Sequence, residues 1–82
     1  MTEQEKVQRA SSEILARARY DSGMTANEVA RKAGVNNMTI YKYELNKIPN
    51  MSLATLIKLA NALGMDTAIF FEQVSALTQR MR

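Results

Sequence analysis

Asn37, Met38, Tyr41 and Lys42 lie within one six-residue stretch and combine an amide, a thioether, a phenol and an ammonium group. An amide donates and accepts hydrogen bonds, an ammonium only donates, and a thioether gives soft apolar contact, so this set is suited to recognising a partner. It is poorly suited to bond-breaking chemistry. The chain contains no histidine and no cysteine, which removes the commonest general base, the thiolate nucleophile and the usual transition-metal ligands. There is no glycine-rich phosphate loop and no pair of carboxylates at a cleft-forming spacing, and no evident base activates the serines and tyrosines. Neither an enzyme nor a cofactor is expected.

The elements that would position these four residues are two short helices over residues 26–45. Thr25 followed by Glu28 is a capping-box pattern, so the first helix starts at Ala26. Val29, Ala30 and Ala33 share its apolar face, and Val35, Ile40 and Tyr43 carry that face into a second helix capped by Asn36. Gly34 between them suits a left-handed turn, and Ala30 is small enough for a close, steep approach of the two helices. Asn37, Met38, Tyr41 and Lys42 are left on the opposite side. The second helix is too short to be stable alone, and a short polar-faced helix on a small rigid scaffold is what reading a DNA major groove requires.

The rest of the chain reads as support. Val7, Ala10, Ile14, Leu15 and Ala18 recur at helical spacing from about Glu5 to Asp21, with Met1 to Gln4 frayed before them and Gly23 ending the helix. A loop around Pro49 follows Asn46. Ser52 then caps a helix with Leu53, Leu56, Ile57, Ala60 and Leu63 as its stripe, which Gly64 ends. Asp66 caps a fifth helix, in which Ile69, Phe70 and Phe71 close the core. Val74, Leu77 and Met81 continue the spacing of Phe70. They predict a tail helix over residues 74–82 that either folds back on its own domain or forms a dimer or partner surface. The expected fold is all-α: one domain over residues 1–82, with a core over 5–73, the helix-turn-helix at 26–45 and a C-terminal helical extension.

Eighty-two residues permit one domain with a modest core. A hydrophobic content of 46% with 23% charged residues is ordinary for a soluble domain. No apolar run reaches the roughly 18 residues of a membrane span and the N-terminus is polar, so a cytoplasmic protein with no membrane partner is expected. A formal charge of +3 and an isoelectric point near 9.5 fit a polyanionic partner without demanding one.

From Leu15 to Phe71, about two thirds of the chain, the sequence resembles the Cro and lambda-repressor type of helix-turn-helix domain, the xenobiotic-response-element family. The matching features are T-x-x-E-V-A-x-x-A-G-V-x-x-x-T-I-x-x-Y-E from Thr25 to Glu44, S-L-A-T-L-I-K-L-A-N-A-L-G from Ser52 to Gly64, and the closing F-F. The resemblance implies a compact five-helix domain that binds double-stranded DNA through the start of its second helix-turn-helix helix. By position, Asn36, Asn37, Met38 and Lys42 would read bases, with Tyr41 nearby. Asparagine can pair with adenine N6 and N7, lysine can donate to guanine, and methionine can touch a thymine methyl. In the plainer alternative, Asn37 assists capping, Lys42 is a solvated charge and Met38 packs on its own helix.

Phosphate contacts would flank this helix. Thr25, Ala26 and Asn27 open a helix whose free N–H groups favour an anion, and Lys47, Asn50 and Ser52 lie in the loop beyond. Two departures from the family stand out. Ala26 occupies a position usually held by glutamine, which puts a side-chain contact in doubt, and Asn46 stands where glycine is usual. The resemblance also implies an ion pair between Arg19 and Glu44, which are otherwise unrelated surface charges. One short helix reads only a few base pairs, so a homodimer on a palindromic operator, most often a repressor, is the expected regulator. The alternative is a protein-interaction module, such as an antitoxin that engages a partner protein through Val74, Leu77 and Met81.

Overall fold

The computed structural model describes residues 1–81. They form five helices and no strand: α1 (Glu3–Ser22), α2 (Ala26–Ala33), α3 (Asn37–Glu44), α4 (Leu53–Ala62) and α5 (Thr67–Arg80). The all-α, five-helix architecture expected from the sequence is the one the chain adopts.

A side-chain oxygen accepts from an early N–H of every helix. Thr25 Oγ1 accepts from the Glu28 N–H at 3.1 Å, and Glu28 Oε1 accepts from the Thr25 N–H at 2.9 Å, completing the capping box of α2. Asn36 Oδ1 caps α3 through the Met38 N–H at 2.7 Å, and Asp66 Oδ1 caps α5 through the Ala68 N–H at 2.8 Å. The N-terminus departs from expectation. Thr2 and Glu5 form a second capping box, with bonds of 3.1 and 2.8 Å, so α1 begins at Glu3 instead of fraying to Glu5.

Gly34 turns α2 into α3 at φ 72°. The Val35 N–H donates to Ala30 O at 3.0 Å and the Gly34 N–H to Arg31 O at 3.3 Å, the paired closure that needs one left-handed residue. Asn46 closes α3 in the same way at φ 55°, with the Lys47 N–H donating to Lys42 O at 2.8 Å. Asparagine thus supplies the backbone conformation for which glycine is the usual choice.

The core gathers Ala10, Leu15, Val29, Ile40, Tyr43, Leu56, Leu59, Phe70 and Val74. In α4 the buried stripe starts one turn later than expected and takes in Leu59, which the expected stripe omitted, in place of the half-buried Ile57. Leu53 is the first residue after the Ser52 cap and stays 61% exposed, while Leu56, Leu59 and Ala60 are buried and Leu63 is half-buried against them. Val7 and Ile69 are also exposed, at 40% and 49%. Conversely, Ser11 is buried on α1, its hydroxyl donating to Val7 O at 2.8 Å, which satisfies the polar group without a partner from elsewhere.

The tail is not a separate helix. α5 runs without a break from Thr67 to Arg80, and Arg82 lies outside the described residues. Val74 is only 4% exposed, and Leu77 and Met81 pack against the same core. Of the two expectations for this apolar stripe, the fold-back on its own domain is the one seen, with Leu77 and Met81 half-buried, because a continuous α5 keeps it in phase with Phe70. Among the described residues no single helix is long and apolar enough to cross a membrane. α4 and α5 reach that apolar content only together, and they are bent by 111°.

Candidate nucleic-acid interface

α3 separates its residues by burial. Ile40 and Tyr43 face the core, while Asn37, Met38, Tyr41 and Lys42 are exposed. Two of the five residues expected to read bases already serve the fold. Asn36 uses its carbonyl oxygen to cap α3, which leaves its amide hydrogens and the second lone pair of that oxygen for a further contact. Tyr41 lies beneath the Arg19 guanidinium, whose carbon is 5.9 Å from the ring centroid, a cation–π contact.

Asn37 is differently placed. Its Nδ2 donates to Asn27 Oδ1 at 2.8 Å, joining the start of α3 to the first turn of α2. The second Nδ2 hydrogen and Oδ1 remain available. Ala26, one residue earlier than Asn27, has its methyl buried at 4% exposure. Its side chain cannot reach a phosphate, so only its backbone N–H is a candidate donor. The cross-brace between the two helices comes instead from Asn27, a role its expected use as an N-terminal phosphate donor did not indicate.

The rear of α3 is gripped by α1. Arg19 Nε lies 2.6 Å from Glu44 Oε2 and Arg19 Nη2 lies 2.9 Å from Glu44 Oε1, while Nη1 donates to Met24 O at 3.3 Å. The pair is only partly solvated, with 24% of the Arg19 side chain and 10% of the Glu44 side chain exposed. Hydrogen bonding to Glu44 raises the Arg19 pKa above its ordinary value, against the opposing effect of burial. Tyr43 adds a bond of its own, its hydroxyl oxygen accepting from the Ser52 N–H at 3.1 Å.

The loop between α3 and α4 carries the remaining phosphate candidates. Lys47 is exposed, and neither it nor Lys42 forms an ion pair among the described residues. Ser52 Oγ accepts from the Thr55 N–H, so it acts as a cap. Asn50 Oδ1 accepts from Gln4 Nε2 at 2.8 Å. Gln8 also hydrogen-bonds to this loop: Nε2 donates to Ile48 O at 3.3 Å and Pro49 O at 3.2 Å, and Oε1 accepts from the Met51 N–H at 2.8 Å. Sequence reasoning missed both glutamines. Gln4 and Gln8 share a face of α1 by their spacing, but nothing local says which distant segment that face meets.

A short helix anchored at its rear, with amide and ammonium groups free at its exposed front, defines a helix-turn-helix DNA-binding domain. The model of a protein family described as helix-turn-helix matches residues 15–70. The chain belongs to that family, as a Cro/lambda-repressor-type domain, and is a DNA-binding transcription regulator. No curated protein and no solved structure matched the chain.

Proposed function

We propose that the protein is a repressor that binds a palindromic operator as a homodimer, with α3 of each copy in the major groove. One observation carries this reading: the Asn37 amide is fixed by Asn27 at the exposed start of α3 yet keeps one acceptor and one donor free. Those are the two groups an adenine edge requires. Met38 and Lys42 extend the reading surface, while Lys47, Asn50 and the N–H groups at the start of α2 grip phosphates. Two copies related by a two-fold axis would address half-sites about 34 Å apart.

The test is duplex binding with DNA from upstream of the protein's own gene against a random-sequence duplex, combined with footprinting. Two symmetric footprints about one helical turn apart are expected. Asn37→Ala should lower the preference for the specific duplex by roughly 5- to 150-fold, the range of one good bidentate base contact. Equal binding to both duplexes by the wild type, or a single unpaired footprint, would overturn the palindromic-operator reading.

A further inference from the structure

Residues 48–52 have no regular secondary structure, yet each of them is tied by a hydrogen bond to another part of the fold. Gln8 takes the carbonyls of Ile48 and Pro49 and the N–H of Met51, Gln4 takes the Asn50 carboxamide oxygen, and Tyr43 takes the Ser52 N–H. Two of these three braces come from α1, which contributes neither base-reading nor phosphate candidates to the interface. Gln8 acts on the loop through both ends of a single carboxamide. It is half-buried, and its partners are 40, 41 and 43 residues away in sequence. Gln4 fixes the orientation of a side chain. With Oδ1 of Asn50 accepting from Gln4, the Nδ2 group of Asn50 is left as a free donor on an exposed residue in the same loop as Lys47.

We infer that Gln8, assisted by Gln4, is a positioning residue for DNA binding: it preorganises the loop over residues 47–52 as a rigid phosphate grip. This rests on the DNA-binding reading above. An unbraced loop of this length would have to be ordered each time DNA bound, and that ordering subtracts from affinity. Because the loop contacts backbone and not bases, the brace governs how tightly the protein binds, whereas Asn37 governs which sequence it prefers.

The full chain carrying Gln8→Ala is compared with the wild type on specific and random duplexes over a range of salt concentrations. Affinity for both duplexes should fall about 10-fold, as expected for restoring freedom to several interface groups. The specificity ratio should stay unchanged, and the log–log salt slope should become shallower by about 0.9 for each phosphate that is no longer neutralised. Gln8→Glu provides a second variant of nearly the same shape. It can still accept from the Met51 N–H, but its carboxylate faces the carbonyls of Ile48 and Pro49 and should weaken binding at least as much. Faster amide hydrogen exchange at Met51, with unchanged exchange in α3, should accompany the weaker binding of Gln8→Ala and shows that the variant is folded. Wild-type affinity and slope in both variants overturn the inference alone, as does a loss confined to the specific duplex. A wild type that binds no duplex overturns the DNA-binding reading and this inference with it.

Discussion

The two ends of α3 are built on opposite terms. At the rear, the Tyr43 hydroxyl accepts from Ser52, Glu44 holds Arg19 through two bonds, and Asn46 closes the last turn in a left-handed conformation. At the front, Met38 has no side-chain hydrogen bond to the protein among the described residues and Asn37 has one, and on the exposed face of the last turn Lys42 has none. The rear makes the helix stable in its place, and the front is left able to bind. Substitutions at the two ends should therefore act on different quantities.

The largest stability loss belongs to the rear. Glu44→Ala leaves the Arg19 guanidinium partly buried without its anion, and should lower unfolding free energy by about 2–3 kcal/mol in a denaturant titration. A double-mutant cycle with Arg19→Ala should be strongly non-additive, and additive losses would show that the two side chains are not a functional pair. Gly34→Ala follows, at about 1–2 kcal/mol, because a Cβ is disfavoured at φ 72°. An added Cβ at Gly34 meets no atom within 4 Å, so a substitution to asparagine should recover part of the loss. An equal loss in both variants would contradict a purely conformational cause. Tyr43→Phe deletes the acceptor for the Ser52 N–H and should remove about 1 kcal/mol.

At the front the same measurement should barely respond. Asn37→Ala and Lys42→Ala are each expected to stay within about 0.5 kcal/mol of wild-type stability, as exposed sites usually do, while changing DNA binding. A large stability loss in either would abolish the distinction between the ends. Smallest of all is an effect of acid. The capping-box hydrogen bonds from Thr2 and Thr25 hold the Glu5 and Glu28 carboxyls below the ordinary carboxylate value. Their contribution is complete above the unfolded glutamate pKa of about 4.3 and is lost as pH falls through the lower folded values. In Thr25→Ala this part of the acid dependence should shrink.

The sequence revealed most where physical cause is local. The Thr25–Glu28 box, the Asn36 cap and the roles of Gly34 and Asn46 depend on residues a few positions apart, and α2 and α3 were legible almost to the residue. The Thr2–Glu5 box carries the same signal, but its position near the chain end invited a reading as a frayed terminus. In α4 the apolar stripe was read through Leu53 and Ile57, and only packing shows that Leu53 lies in solvent while Leu59, outside that stripe, lies in the core. The tail stayed open between two readings for a similar reason. Periodicity shows that Val74, Leu77 and Met81 share a face, but not that α5 packs against α1. The candidate site followed the same division. The exposed face of α3 could be read directly, whereas the Asn27 brace and the contacts from Gln4 and Gln8 depend on elements meeting in three dimensions.

α1 reaches the loop through Gln8 and the rear of α3 through Arg19, and that spacing makes it a ruler. From residue 8 to residue 19 is eleven steps, about 16 Å of rise and close to three whole turns, so both side chains leave the rod within about 20° of the same direction. One residue added or removed between them would swing one contact by about 100° relative to the other. The outer faces of this helix are free to drift in composition, but its length between these two points is not.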